Sequence, residues 1–154
     1  MIDQILNALI ASENEAADDV LLEALRLGAE PEQAMALGAL IKRGTVHGLS
    51  GVVARFASLP EALRATCLRE IKQFHHALRE CGRSNQPAVR LAAMSMIALG
   101  RQGKLAYVLS ENLHESHDNL SHAAAAAMVE LARWVAEATR TLQKGSGSGV
   151  QGSG

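Results

Sequence analysis

The chain has 154 residues, a formal net charge of −1 and 48% hydrophobic residues, but aromatic residues make up only 3% of it. This length predicts one domain with a continuous core, which must be built from Ala, Leu, Val, Ile and Met. No apolar run reaches the ~20 residues that span a bilayer and no signal-peptide pattern begins the chain, so we expect a soluble, cytoplasmic protein.

A first pair of helices is predicted at the N-terminal end. Apolar residues recur at helical spacing between Ile2 and Ile10, and the polar stretch at residues 12–15 ends this helix. Asp18 suits the start of a second helix, because a carboxylate pairs with the free amide groups there, and Gly28 ends it. The apolar stripe of the second helix is predicted to contain Val20, Leu21, Ala24 and Leu25. Such a pair is typical of the unit that caps a stack of repeats.

An internal repeat begins at residue 31. A shift of 56 residues aligns eight positions across a helix, a turn and a second helix. The aligned pairs are Pro31 with Pro87, Ala36 with Ala92, Leu40 with Met96, Ile41 with Ile97, Gly44 with Gly100, Leu49 with Leu105, Val52 with Val108 and Val53 with Leu109. Pro60 lies about halfway, so the true period is nearer 28 residues. Helix pairs of this size bury their apolar faces only by stacking on neighbours.

Residues 60–83 allow two interpretations. Their apolar residues follow helical spacing, and after Pro60 neither Gly nor Pro interrupts them before Gly82. One long helix fits this pattern. Two helices joined by a turn near residues 72–75 fit it equally well and would restore the two-helix unit.

The last helix is predicted to begin near Asp118 and to continue to about Leu142. Residues 144–154 consist almost entirely of Gly and Ser, a composition that behaves as flexible coil. We therefore predict a helical repeat domain at residues 1–143 and a flexible tail or linker at residues 144–154.

The segment from Pro87 to Gly100 resembles the second helix of a HEAT repeat. A proline turn is followed by Val89 and Arg90, then by two alanines, and the helix ends in Leu-Gly. The resemblance, to uncharacterised bacterial proteins of this armadillo-like family, covers about residues 15–142. It implies an all-α, right-handed α–α superhelix of four to five helix pairs. It also implies a scaffold that binds a protein on the inner face, formed by the second helix of each pair.

Charge is distributed unevenly along the chain. Residues 1–32 contain eight acids and one base, whereas residues 33–104 contain eleven bases and three acids. This asymmetry fits a solvated outer face whose charges compensate within the molecule. It also fits a basic surface that attracts an anionic partner.

The candidate partner-binding residues are basic side chains in the middle of the chain. They are Arg64, Arg69, Lys72, His76, Arg79 and Arg90. We expect them to bind a protein partner. The alternative is binding of nucleic acid or another polyanion through residues 33–104, because a basic helical stack can follow a phosphate backbone. The scarcity of aromatic side chains on which bases could stack argues against that alternative.

No catalytic, metal or cofactor site is predicted. Glu111 and His114 form one ExxH spacing, but a di-iron helical bundle needs a second such motif and none is present. Cys67 and Cys81 lack the spacing of a zinc site and are expected to be buried, reduced thiols. We therefore expect a protein that is not an enzyme. A purely structural role, as a spacer or oligomerisation unit within a longer chain, remains an alternative to partner binding.

Overall fold

The protein is all-helical over the residues that the structure describes. The computed structural model describes the backbone of residues 1–150 and the side chains of residues 1–145, and this part contains nine α-helices and no strand. The helices are α1 (Ile2–Ala11), α2 (Ala16–Leu27), α3 (Glu30–Arg43), α4 (Val46–Arg55), α5 (Glu61–Arg69), α6 (His75–Cys81), α7 (Pro87–Leu99), α8 (Ala106–Leu113) and α9 (Asp118–Val150). The all-α class expected from the sequence is confirmed.

Residues 60–83 form two helices and not one. Helix α5 ends at Arg69, a 3-10 turn spans Ile71–Phe74, and α6 begins at His75. Ile71 and Phe74 are both buried in the core, and the spacing of three residues per turn places them on one side of the 3-10 turn. The break gives α6 a direction of its own, so it packs against α4 and α7.

Local sequence explains where several helices begin and end. Pro87 occupies the first turn of α7, where its missing amide hydrogen has no cost. Gly44 ends α3 in the left-handed conformation, with φ of 64°, which Gly adopts without steric penalty. Thr45 then caps α4, because its hydroxyl accepts a hydrogen bond of 3.1 Å from the amide of Gly48.

One continuous apolar core joins the helices. Helix α2 packs on α3 and α4, α4 packs on α6 and α7, and α9 packs on α7 and α8. The largest fully buried side chain is Phe74, surrounded by Leu, Ile, Val and Met of the other helices. The expected aliphatic core is therefore present, with Phe56 and Phe74 as its buried aromatic members.

Two details of the apolar stripes differ from the sequence prediction. Val20 was predicted to be buried in α2, but it is 54% exposed and Leu22 is buried instead. Leu22 lies against Gly51 of α4, so the position of α4 selects which side of α2 is covered. Met94 of α7 is also buried, although the helical spacing of Val89, Ala92, Ala93, Met96 and Ile97 predicts an apolar stripe without it.

Helix α9 is longer than its apolar pattern predicts. It continues to Val150, so the backbone of residues 144–150 is helical where the composition predicts flexible coil. Residues 151–154 lie outside the described part of the chain. Each Gly in this extension costs about 1 kcal/mol of helix stability relative to Ala, so the segment depends on the preceding helix for its conformation.

A buried ion pair ties the N-terminal helices together. The guanidinium of Arg43 donates from Nε to Oδ1 of Asp18 at 2.6 Å, and both side chains are almost fully buried. Arg43 also donates to the carbonyl oxygens of Leu9 and Ser12, at the end of α1. The second carboxylate oxygen of Asp18 accepts a hydrogen bond of 2.8 Å from the hydroxyl of Thr45. One arginine therefore connects α1, α2 and α3.

We expect Arg43→Met to lower the free energy of unfolding by about 3–5 kcal/mol, because it leaves the Asp18 carboxylate buried without its cation. Urea denaturation followed by circular dichroism measures this loss. Arg26→Met is the matched control, since the Arg26–Glu23 pair is exposed and solvent screens its attraction, so this variant is expected to lose much less stability. Equal losses in the two variants would contradict a structural role for the buried pair.

Two glycines test the packing of the helices. A Cβ at Gly82 would lie 2.2 Å from Cγ1 of Val108, a buried and β-branched side chain with little rotamer freedom. A Cβ at Gly38, inside α3, meets no atom within 4 Å. We expect Gly82→Ala to destabilise the protein and Gly38→Ala to stabilise it by up to about 1 kcal/mol, as measured by thermal unfolding. Stabilisation by both substitutions would show that α8 does not pack against Gly82.

Candidate functional site

An open groove between α3 and α5 is the best candidate for a binding site. It has a volume of 470 Å³ and a border formed by Lys42 of α3 and Arg69 of α5. Ile41 forms an apolar part of its lining, and the exposed Gly38 leaves open space beside it. Helix periodicity explains this arrangement, because positions 38, 41 and 42 lie on one face of α3.

The groove carries an excess of positive charge. Arg69 is exposed, and its Nε lies 4.0 Å from Oε1 of Glu70. The carboxylate of Glu70 also accepts a hydrogen bond of 3.0 Å from the side-chain amide of Gln73. Lys42 forms no ion pair with any described residue. The lining of the groove therefore contains two cations and one carboxylate, and a ligand with its own carboxylate would balance the charge.

Lys72, His76 and Arg79 are not among the residues that line the α3–α5 groove with Arg69. Lys72 is exposed on the 3-10 turn, while His76 and Arg79 lie on α6. Both α6 residues share Glu80, with Nε2 of His76 at 3.8 Å and Nε of Arg79 at 3.9 Å.

Arg64 and Arg90 are less accessible than the sequence suggests. Arg64 is half-buried, and its Nε has no hydrogen-bond partner among the described residues. Arg90 is held inside the molecule by Glu115, at 2.6 Å, and by the carbonyl oxygen of Ser84. Lys42, by contrast, was not among the predicted site residues. Lys42 follows Gly38 by four residues and Ile41 follows it by three, and this shared helix face is the sequence signal that could have identified Lys42.

Several other cations of the basic middle are neutralised by acids from distant parts of the chain. Arg83 forms a bidentate pair with Glu111, at 2.9 and 2.8 Å. This pair raises the pKa of Arg83 and lowers the pKa of Glu111. Arg43 forms the buried ion pair with Asp18. Residues 33–104 therefore contribute less net positive charge to the surface of the protein than their count of eleven bases and three acids suggests.

A second open groove, of 510 Å³, lies along α2, α4 and α6. Its border contains a hydrogen bond of 2.7 Å between Nε2 of His47 and Oδ1 of Asp19, and Arg55 and Glu80 lie further along. The carboxylate of Asp19 raises the pKa of His47. Its border contains a histidine, a cation and two acids, so this groove does not favour a ligand of either charge.

Glu111 and one of the histidines that follow it have partners of other kinds within the described part of the chain. Glu111 is paired with Arg83, and Nδ1 of His122 lies 2.7 Å from the carbonyl oxygen of Asp118. Among the described residues, no three His, Cys, Asp or Glu side chains come together in a way that could hold a metal ion. Burial raises the pKa of Cys67 to about 12, so its thiol is unreactive at neutral pH. Cys81 is also a buried, free thiol.

Comparison of the chain with protein-family models, with curated proteins and with solved structures finds no match. Within the described part of the chain, no helix combines the length and the apolar character needed to cross a bilayer.

The His47–Asp19 pair predicts a small pH dependence of stability. Because the pKa of His47 is raised in the folded protein, the stabilisation is fully present below the unfolded pKa of about 6.5. It is lost as the pH rises through the higher folded pKa. NMR titration is expected to give a His47 pKa above 6.5, and Asp19→Asn is expected to return it towards that value. A His47 pKa that does not respond to Asp19→Asn would show that the hydrogen bond does not form in solution.

Proposed function

We propose that this protein is a non-catalytic scaffold of the HEAT-repeat type, which holds a protein partner on the surface formed by α3, α5, α7 and α9. In this proposal the pairs α2–α3, α4–α5, α6–α7 and α8–α9 are successive repeats of a right-handed superhelix, and α1 covers the first of them. The packing of α2 on α3, of α6 on α7 and of α8 on α9, the repeated proline starts and the single shared core support this arrangement, whereas α4 packs mainly on α6 and α7.

The observation that carries the proposal is the position of the grooves. One lies between α3 and α5, and two more lie between α7 and α9. These three are formed by the second helices of the proposed pairs, whereas the 510 Å³ groove along α2, α4 and α6 lies on first helices and has charges of both signs at its border. The smaller α7–α9 groove is mainly apolar, with Met94, Ala98 and Ala127 among its lining residues. Such a surface combines apolar contact with a few charged anchors, which is typical of protein-binding sites.

The partner is proposed to place an acidic side chain in the α3–α5 groove. Lys42 and Arg69 would bind its carboxylate there, and Ile41 would contact its apolar stem. Polyanion binding is the less favoured function, because Arg43, Arg83 and Arg90 are already occupied by acids of the same chain. A phosphate backbone needs several free cations in a row, whereas an acidic side chain needs one or two.

We expect the double variant Lys42→Glu/Arg69→Glu to lose partner capture from a lysate of the source organism while its helical content stays unchanged. Both side chains are exposed, so the fold does not depend on them. The matched control is Lys104→Glu/Lys144→Glu, which changes the net charge equally at exposed positions outside the groove. Undiminished capture by the first variant would refute the groove as the docking site.

Photocrosslinking identifies what occupies the groove. A photoreactive amino acid at Gly38 should crosslink to the partner, whereas the same residue at Gly103 should not, although a side chain has open space at both positions. The experiment is run with and without nuclease. Protein crosslinked at Gly38 after nuclease treatment supports the scaffold, and nucleic acid as the only crosslinked material would replace it with the polyanion-binding alternative.

A further inference from the structure

Arg64 differs from the other partly buried arginines in the described part of the chain. Arg43, Arg55 and Arg90 each donate from the guanidinium to a carbonyl or carboxylate oxygen. The guanidinium of Arg64 forms no hydrogen bond or ion pair with any described residue, and its Nε is buried. Buried N–H donors are almost always paired, because an unpaired one is costly in free energy. The guanidinium of Arg64 therefore weakens the fold instead of supporting it.

The terminal edge of the Arg64 guanidinium is open to solvent. Nη1 and Nη2 also have no partner among the described residues, but Nε is the nitrogen of this side chain that is both unpaired and buried. The side chain is thus held against the protein as far as Nε, which restricts the plane of the guanidinium. Its outer edge presents two N–H groups side by side, an arrangement that matches the two oxygens of a carboxylate.

Helical periodicity places Arg64 on the side of α5 away from α3. From α5, the α3–α5 groove is lined by Thr66 and Arg69, among others. Because an α-helix turns by about 100° per residue, Arg64 lies about 160° from Thr66 and about 140° from Arg69 around the axis. A Cβ at Gly100, directly after α7, would lie 2.9 Å from Cγ1 of Ile71, which follows α5. Arg64 therefore lies on the part of α5 between the groove and α7.

Within the described residues, no acid of the surrounding helices pairs with Arg64. Glu61 precedes it by three residues on α5, yet the two side chains form no ion pair. Glu70, directly after α5, lies beside Arg69 and accepts the hydrogen bond from Gln73. Helix α7 contains neither Asp nor Glu. The positive charge of Arg64 is therefore left for a ligand to balance.

We propose that Arg64 is a second carboxylate-binding position on the surface formed by α3, α5, α7 and α9, and that it binds an acidic side chain of the protein partner through Nη1 and Nη2. This inference rests on the proposed scaffold function, because it assigns the ligand of Arg64 to the partner that reaches Lys42 and Arg69. Five residues separate Arg64 from Arg69, about 7.5 Å along the helix axis. The partner is therefore expected to carry two separate acidic side chains, one for each position.

A carboxylate suits Arg64 better than a phosphate backbone does. Arg64 supplies one positive charge, which balances the single charge of a carboxylate. A phosphate backbone needs several free cations in a row, and residues 60–68 contain no other Arg or Lys.

An NMR titration with a defined acidic probe tests the position. The probe is a blocked tetraglutamate peptide, whose first and last residues are up to about 10 Å apart, and blocked tetraglutamine is the uncharged control. We expect the Nε–Hε signal of Arg64 to shift saturably with tetraglutamate and not with tetraglutamine. Arg55 is the internal reference, because it is also partly buried but donates to the carbonyl oxygen of Gly51 on α4. Its signal is expected to shift much less.

Two substitutions separate recognition of the carboxylate from packing. Arg64→Met removes the guanidinium and is expected to weaken tetraglutamate binding about three- to tenfold. The same variant is expected to raise Tm by about 2–4 °C, because the unpaired buried donor is gone. Arg64→Lys keeps the charge without the flat two-donor edge and should bind with intermediate affinity. Arg55→Met, the matched control, should bind tetraglutamate like the unsubstituted chain and should not raise Tm.

Four results would overturn the proposal. The first is an Arg64 signal that shifts no more than that of Arg55. The second is unchanged tetraglutamate affinity in Arg64→Met, which would show that Arg64 only packs. The third is a lower Tm for Arg64→Met, which would show that the guanidinium has a partner within the fold, with Glu61 as the nearest acid in the sequence. The fourth is a larger shift with inorganic triphosphate than with tetraglutamate at equal ionic strength, which would favour polyanion binding.

The Lys42→Glu/Arg69→Glu variant distinguishes this position from the α3–α5 groove. We expect the Arg64 signal still to shift with tetraglutamate in this variant, although at higher peptide concentration. Loss of partner capture in the variant, together with an Arg64 signal that never responds to the peptide, would refute the second position and leave the scaffold function intact.

Discussion

The first part of the fold depends on the buried pair between Asp18 and Arg43. Burial removes both charges from water, and such a pair is tolerated only when the remaining hydrogen-bonding groups are also satisfied. Here the hydroxyl of Thr45 donates a hydrogen bond to the second oxygen of the carboxylate, and the guanidinium donates hydrogen bonds to the carbonyl oxygens that end α1. The pair therefore fixes where α1 ends, how α2 lies on α3 and how the turn into α4 begins. Apolar packing alone, being non-directional, would not set these positions.

A similar polar contact fixes the other half of the molecule. The side-chain amide of Asn112, almost fully buried on α8, donates to the carbonyl oxygens of Gly82 and Val108 at 3.0 and 2.9 Å. Gly82 is required at this point because Val108 occupies the space that a Cβ would need. The chain thus uses one buried polar residue near each end to set the position of neighbouring helices around an otherwise aliphatic core.

The internal use of cations has a consequence for function. Arg43, Arg83 and Arg90 each join segments more than twenty residues apart in the chain. Acids of the same chain therefore neutralise their charge. Lys42 and Arg69 keep their charge at an open groove. A surface with a few free cations beside apolar residues suits recognition of a protein better than neutralisation of a phosphate backbone.

The sequence by itself determined the helical class, most helix boundaries and the repeat. These features follow from local rules: apolar spacing near 3.6 residues, proline at helix starts, and Gly44 in a left-handed turn. Only the tertiary structure decided that residues 60–83 are two helices, because the local apolar spacing fits one helix or two and the packing of α6 on α4 and α7 is not encoded in it. Only the tertiary structure separated Arg90, which is bound to Glu115, from Arg69, which is open to a ligand. The physical reason is that the ionic partner of a charged side chain can lie many residues away in the chain, so helical periodicity identifies its face but not its contacts.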